Sequence, residues 1–105
     1  MGTKLATEAA LREGIRSLLG PVRTMLSSPG IEGVARAYDV ERAARNVAPL
    51  LIQPQPSLLA FERLALFVNA ADDAGQRRRE RRNHADADVA LQAEWLEAAE
   101  FLTGT

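Results

Sequence analysis

Five arginines stand within six positions, Arg77, Arg78, Arg79, Arg81 and Arg82, with Glu80 between them. A guanidinium is a planar fork of donors that takes a carboxylate or a phosphate through two parallel hydrogen bonds. If a helix carries the run past Gly75, then Arg77, Arg78, Arg81 and Arg82 gather on one side of it, and these four are the predicted partner-binding residues. Stretch 77–82 sums to +4, whereas residues 85–105 carry Asp86, Asp88, Glu94, Glu97 and Glu100 with no base and sum to −5. The whole chain is nearly neutral, at −1. That balance argues against generic polyanion binding and leaves room for a local patch. Cations in the last turn of a helix are favoured by about 0.3–1 kcal/mol each. An acidic segment folding back antiparallel adds about 0–1 kcal/mol per exposed pair. Effects this small predict a solvated elbow with no duty in the fold, open to a partner. No aromatic residue interleaves the arginines, so the run offers no stacking platform for single strands.

His84, Asp86 and Asp88 follow at alternate positions. They converge on one side only in an extended segment, and the chain has no second histidine to complete a metal set. The simpler reading is a polar loop entering a helix, with Asp86 or Asp88 as its N-cap. Asp72 and Asp73 are adjacent on a helix and point about 100° apart, which is unsuited to paired acid–base work. There is no glycine-rich phosphate loop and no nucleophile elbow. The expectation is a protein without catalytic residues, metal or cofactor.

A third constellation lies upstream. Residues 31–51 have the outline of a helix-turn-helix: small Ala35 in a first helix, Asp39 at the turn, and apolar Val40 next. Asp39 stands where glycine is usual, and aspartate tolerates left-handed geometry better than most residues. On this reading Glu41, Arg42, Arg45 and Asn46 face a DNA groove, and Arg and Asn are the side chains that read guanine and adenine edges. The match is imperfect, because Arg45 falls where the motif buries an apolar residue.

The elements that must position these residues are helical throughout. Leu11, Ile15, Leu18 and Leu19 form one stripe in residues 3–19. Gly20-Pro21 punctuates it, and the stripe resumes in register at Val22, Met25 and Leu26, which suits one kinked helix or two short ones. The SSPG turn follows. Ile31, Val34, Ala35 and Tyr38 make a second stripe whose phase fails at Asp39, and Val40, Ala43, Ala44 and Val47 start another. That pattern predicts a short helix, a break near Asp39, and a further short helix ending near Pro49. The two prolines of QPQPS mark a semi-rigid joint, and Ser57 offers an N-cap. From Leu58 onward Phe61, Leu64, Ala65, Val68 and Ala71 share one face, widened by Leu59 and Phe67, so this helix is predicted to be central. The stripe fades after Ala74. The last helix, from Asp86 or Asp88 to Leu102, carries Leu91, Trp95, Ala98 and Leu102, flanked by Val89, Ala93 and Leu96. Trp95 is read as core, or else as an interface anchor.

A chain of 105 residues suffices for one domain. It has no cysteine, and only 5% of its residues are aromatic, so its core must be Leu, Val and Ala. Small side chains let helix axes approach closely. The prediction is therefore an all-α bundle of four to five helices in a single domain over residues 1–105: N-terminal helices in 1–52, a joint at 53–57, and a helical hairpin in 58–105. The start of the chain has no signal-peptide pattern and no apolar run approaches the roughly 20 residues of a membrane span. The expected setting is the cytoplasm, in a bacterium or a phage particle assembled there, without a membrane partner. The predicted function is a non-enzymatic protein–protein interaction module, a small regulator, adaptor, inhibitor or assembly factor. It would meet an acidic protein surface, or a second copy of itself, through the arginine elbow and apolar helix faces. The second reading is a DNA-binding regulator using Arg42, Arg45 and Asn46.

Overall fold

The computed structural model describes residues 7–52 and 58–104, with Leu58 described by its backbone alone. Four α-helices and one short 3₁₀ segment make up the described residues: α1 (Glu8–Leu26), α2 (Gly30–Val47), the 3₁₀ segment (Ala48–Leu51), α3 (Leu58–Arg79) and α4 (Ala85–Thr103). No strand occurs among them. The predicted start of the first helix before Thr7, the 53–57 joint with its Ser57 cap, and the side chain of Leu58 lie outside the described residues.

Each helix buries one narrow row. In α1 the row is Leu11, Ile15, Leu18, Val22 and Met25, a 4-3-4-3 spacing that keeps one face toward its neighbours. Thr7 begins the helix, its Oγ1 accepting from the Ala10 amide at 3.0 Å. Pro21 lies inside it. Proline removes one donor, yet α1 runs on to Leu26, so the one-helix reading of the Gly20-Pro21 step holds. The Trp95 indole N–H donates to the Leu19 carbonyl at 2.8 Å and ties α4 to α1. Trp95 is half-buried against the core.

In α2 the predicted break is absent. The helix passes through Asp39 unbroken, and its buried row is Gly33, Ala37, Val40, Ala44 and Val47. The stripe read from sequence faces the other way: Ile31 is 74% exposed and Tyr38 53%. Large apolar side chains drew the wrong phase, because the residues that pack are the small ones. A Cβ on Gly33 would fall 2.5 Å from the Ser28 carbonyl oxygen and against the Arg78 guanidinium. Close approach, rather than apolar bulk, specifies that position.

In α3 Ala60, Leu64, Phe67, Val68, Ala71 and Ala74 are buried; α3 packs against α1, α2 and α4, and α1 likewise packs against the other three, so the predicted central place of α3 is shared with α1. Leu59 is exposed, against the reading that it widens the apolar face. In α4 Ala87, Leu91 and Ala98 are buried, whereas Val89 and Leu96, expected as flanks of the stripe, are exposed. The Cα envelope measures 46 × 31 × 18 Å. Since one helix with its side chains is about 10–12 Å across, the molecule is about two helices thick at its thinnest, and every helix keeps a solvent face.

Candidate functional site at the elbow between α3 and α4

The arginine run spans the end of α3 and the turn into α4, and its members have different fates. The row Phe67, Ala71, Ala74 continues by one 4-residue step to Arg78. Arg78 is therefore carried into the interior, where it is 5% exposed. Its Nη2 donates to Asp88 Oδ2 at 2.8 Å and its Nη1 reaches the Ser28 carbonyl at 3.4 Å. His84 Nδ1 stands 2.7 Å from the same Asp88 oxygen. A carboxylate only accepts, so His84 carries its proton on Nδ1. Arg78 Nε and Asp88 Oδ1 are buried and have no hydrogen-bond partner among the described residues.

This overturns the expectation that the whole run is a solvated elbow. A buried guanidinium held by one carboxylate and one backbone carbonyl joins α3 to α4 and to the start of α2. It sits in the fold, and taking away its partner would leave an uncompensated interior charge. The N-cap expectation is corrected as well. His84 occupies the N-cap of α4 without a side-chain cap bond, the Asn83 Oδ1 accepts from the Ala85 amide at 3.0 Å, and Asp88 lies in the first turn facing Arg78.

The other arginines are held to different degrees. Arg77 Nε pairs with Asp73 at 3.0 Å. Arg79 pairs with Glu41 of α2, and its guanidinium carbon lies 5.9 Å from the Tyr38 ring centroid. Arg82 pairs with Glu80 at 2.8 Å, both half-exposed. A hydrogen bond from Gln76, then one from Arg82, holds the Glu80 carboxyl below its usual range. Arg81 is exposed and has no ion pair among the described residues. Its backbone is unusual: φ is +56°, the one positive value outside glycine among the described residues. The Arg82 amide donates to the Arg77 carbonyl at 2.8 Å and the Arg81 amide to the Arg78 carbonyl at 3.2 Å. That pair of bonds is the Schellman ending of a helix, with Arg81 at the left-handed position glycine ordinarily fills.

Arg78, Arg81, Arg82 and His84 line one open concavity of about 290 Å³ together with Gly30, Ile31 and Val34 from the start of α2. The structure thus brings three of the four predicted partner-binding residues to one place, Arg78 as its floor and Arg81 and Arg82 as its open rim. Arg77 is drawn off toward Asp73 and the Asn83 carbonyl. The apolar component was missed in sequence, where Ile31 and Val34 read as core.

The second constellation stays within one turn of α2 but borders two different concavities. Arg42 pairs with Asp39 at 3.5 Å and shares a shallow concavity with Asn46. Arg45 pairs with Glu41 and borders a different one with Asp72. With α2 continuous, no turn separates a first helix from a recognition helix in this segment. Asp72 borders the apolar side chains of Val68, Ala44 and Ala48. Loss of water there pushes its pKa above the ordinary value, with Arg79 opposing and Glu41 adding to the rise. Among the described residues no group of three or more His, Asp or Glu side chains gathers to hold a metal, and no helix is long and apolar enough to cross a membrane.

No protein-family model matches the chain, and neither the curated proteins nor the solved structures contain a match.

Proposed function

We propose that the protein is a non-enzymatic interaction module. Its partner surface joins the outward face of α2 to the open rim of the elbow, and its partner is a protein presenting acidic side chains around an apolar contact. The observation that carries this is the shared concavity: exposed Ile31 and half-buried Val34 stand beside Arg81 and Arg82. Tyr38 continues the same helix face one turn and more beyond, under Arg79. Exposed apolar side chains rimmed by arginine are the composition of protein contact surfaces, where aromatic residues and Arg carry much of the affinity. The Schellman position adds to the case. A left-handed backbone disfavours a long side chain by roughly 1–2 kcal/mol relative to glycine, so an arginine in that position favours a use outside the fold.

The test is a photo-crosslinking residue placed at Ile31, with a second at Glu13 on α1 as the control, in the cell that makes the protein. The reading expects one defined adduct from position 31 and none from 13, lost when Arg81→Glu and Arg82→Glu are introduced together. A crosslink that survives the charge reversal would contradict it, as would equal adducts from both positions. A DNA adduct would favour the second reading, and an adduct of the chain with itself would make the partner another copy.

A further inference from the structure

We infer that the concavity between α2 and the elbow is a binding site for a phosphoryl group. The inference deepens the proposed function, resting on it only in taking Arg81 and Arg82 as open. Among the described residues the lining holds three arginines and a histidine and no carboxylate. Asp88 lies outside the lining and is engaged by Arg78 and His84; Glu80, also outside it, is engaged by Arg82 and Gln76. Arg81 has no ion pair among the described residues, whereas Arg78 and Arg82 are each matched by one carboxylate and Glu32 of the α2 first turn lies near Arg36, so the rim keeps one unmatched positive charge.

Two further observations point the same way. The concavity opens on the first turn of α2, where Gly30 has φ +59° and the N-cap, Pro29, makes no side-chain cap bond. The leading amides of a helix carry a partial positive charge and suit an anion. Against that dipole the fold sets a second positive group, the Arg78 guanidinium. It is 5% exposed and lies against Gly33, and its two Nη atoms are engaged by the Ser28 carbonyl and Asp88, so it shapes the floor of the concavity and leaves the donating to the rim. A buried cation at the positive end of a helix is unfavourable by itself. Asp88 offsets that single charge, and an anion in the concavity would answer the helix end and the unpaired Arg81.

The donors at the opening are the Arg81 and Arg82 guanidiniums of the turn after α3 and the leading amides of α2. That arrangement suits the three terminal oxygens of a phosphate monoester better than the two of a planar carboxylate. The volume of about 290 Å³ is that of roughly ten waters, which leaves space for the group the phosphate is attached to, with Ile31 and Val34 as its apolar wall.

The experiment is an amide NMR titration of the full chain with inorganic phosphate, at ionic strength held constant with sodium chloride, beside an equal titration with acetate. The expected result is saturable movement of the Gly30, Ile31, Arg81 and Arg82 signals with phosphate. Binding should weaken roughly tenfold or more in the Arg81→Ala/Arg82→Ala double variant, whose unchanged thermal melt shows that it folds. A small phosphate ester and a phosphoserine peptide then distinguish the sources. Equal affinity marks a free metabolite, and much tighter peptide binding marks a phosphorylated partner. The inference is overturned if acetate moves the same signals equally, if the shifts do not saturate, or if the double variant titrates like the native chain. No partner takes part, so the titration can fail while the crosslinking succeeds, and the reverse.

Discussion

The guanidinium of Arg78 occupies the space that a side chain on Gly33 would need. The two residues lie 45 positions apart in sequence and come from helices that show no obvious complementarity, one position reading as a helix weakener and the other as a surface charge. Together they let α2 and α3 meet closely, with Asp88 of α4 completing the junction from the other side.

Gly33→Ala should therefore destabilise the protein by about 1–3 kcal/mol, the range for overpacking a tight site, despite the better helix propensity of alanine. Gly75→Ala is the matched control. The nearest atom to its added Cβ is the Ala37 carbonyl oxygen at 3.8 Å, an ordinary contact, and the gain in helix propensity should raise stability by about 0.5–1 kcal/mol. Urea denaturation of the two variants should move the midpoint in opposite directions.

Asp88→Ala leaves Arg78 buried without its carboxylate. The expected loss is about 2–4 kcal/mol, somewhat below that for a fully buried pair because the Asp88 side chain is 23% exposed. Arg78→Met on the Asp88→Ala background should recover part of that loss, because the methionine fills the space without an unpaired charge. A double-mutant cycle giving additive effects would show that the two residues do not act as a pair.

These two contacts also mark what the sequence made legible and what it hid. Row spacing placed Leu11, Ile15, Leu18, Leu64 and Leu91 in the core, and helix type followed from them. In α2 it placed Val40, Ala44 and Val47 correctly and failed in the first half, because Gly33 and Ala37 pack through smallness while Ile31 and Tyr38 supply a tempting and incorrect phase. It failed for Arg78 because an arginine near a helix end ordinarily faces water, whereas here its position on the buried row prevails. Stepping by 4-3-4 from Phe67 lands on Arg78, and that phase was readable. Its partner Asp88, ten residues away across a turn, was not.

Arg81→Gly should separate stability from binding. Glycine relieves the left-handed backbone and should stabilise the protein by up to about 1 kcal/mol, while the crosslink from position 31 should weaken. Thermal melting and crosslinking yield moving together would contradict an external role for Arg81.

Asp72 gives a pH dependence with a definite sign. Its pKa is raised in the folded chain, chiefly by loss of water, so the folded state favours the protonated form. The fold gives up stability as pH rises from the ordinary value of 3.8 through the raised one. Asp72→Asn should then stabilise the protein at neutral pH and have no such advantage below the ordinary carboxyl range. Because the Asp72 side chain is exposed, screening limits the gain to about 0.5 kcal/mol at most. Denaturation midpoints of both proteins across acid and neutral pH would test it, and a gain that grows toward low pH would reverse the sign.

The division of one arginine run between interior and surface is most directly tested by urea denaturation of Arg78→Ala beside the Arg81→Ala/Arg82→Ala double variant. The structure predicts a loss of about 2–4 kcal/mol for the first and a change within about 0.5 kcal/mol for the second. Equal losses from the two, or a native-like midpoint for Arg78→Ala, would contradict it.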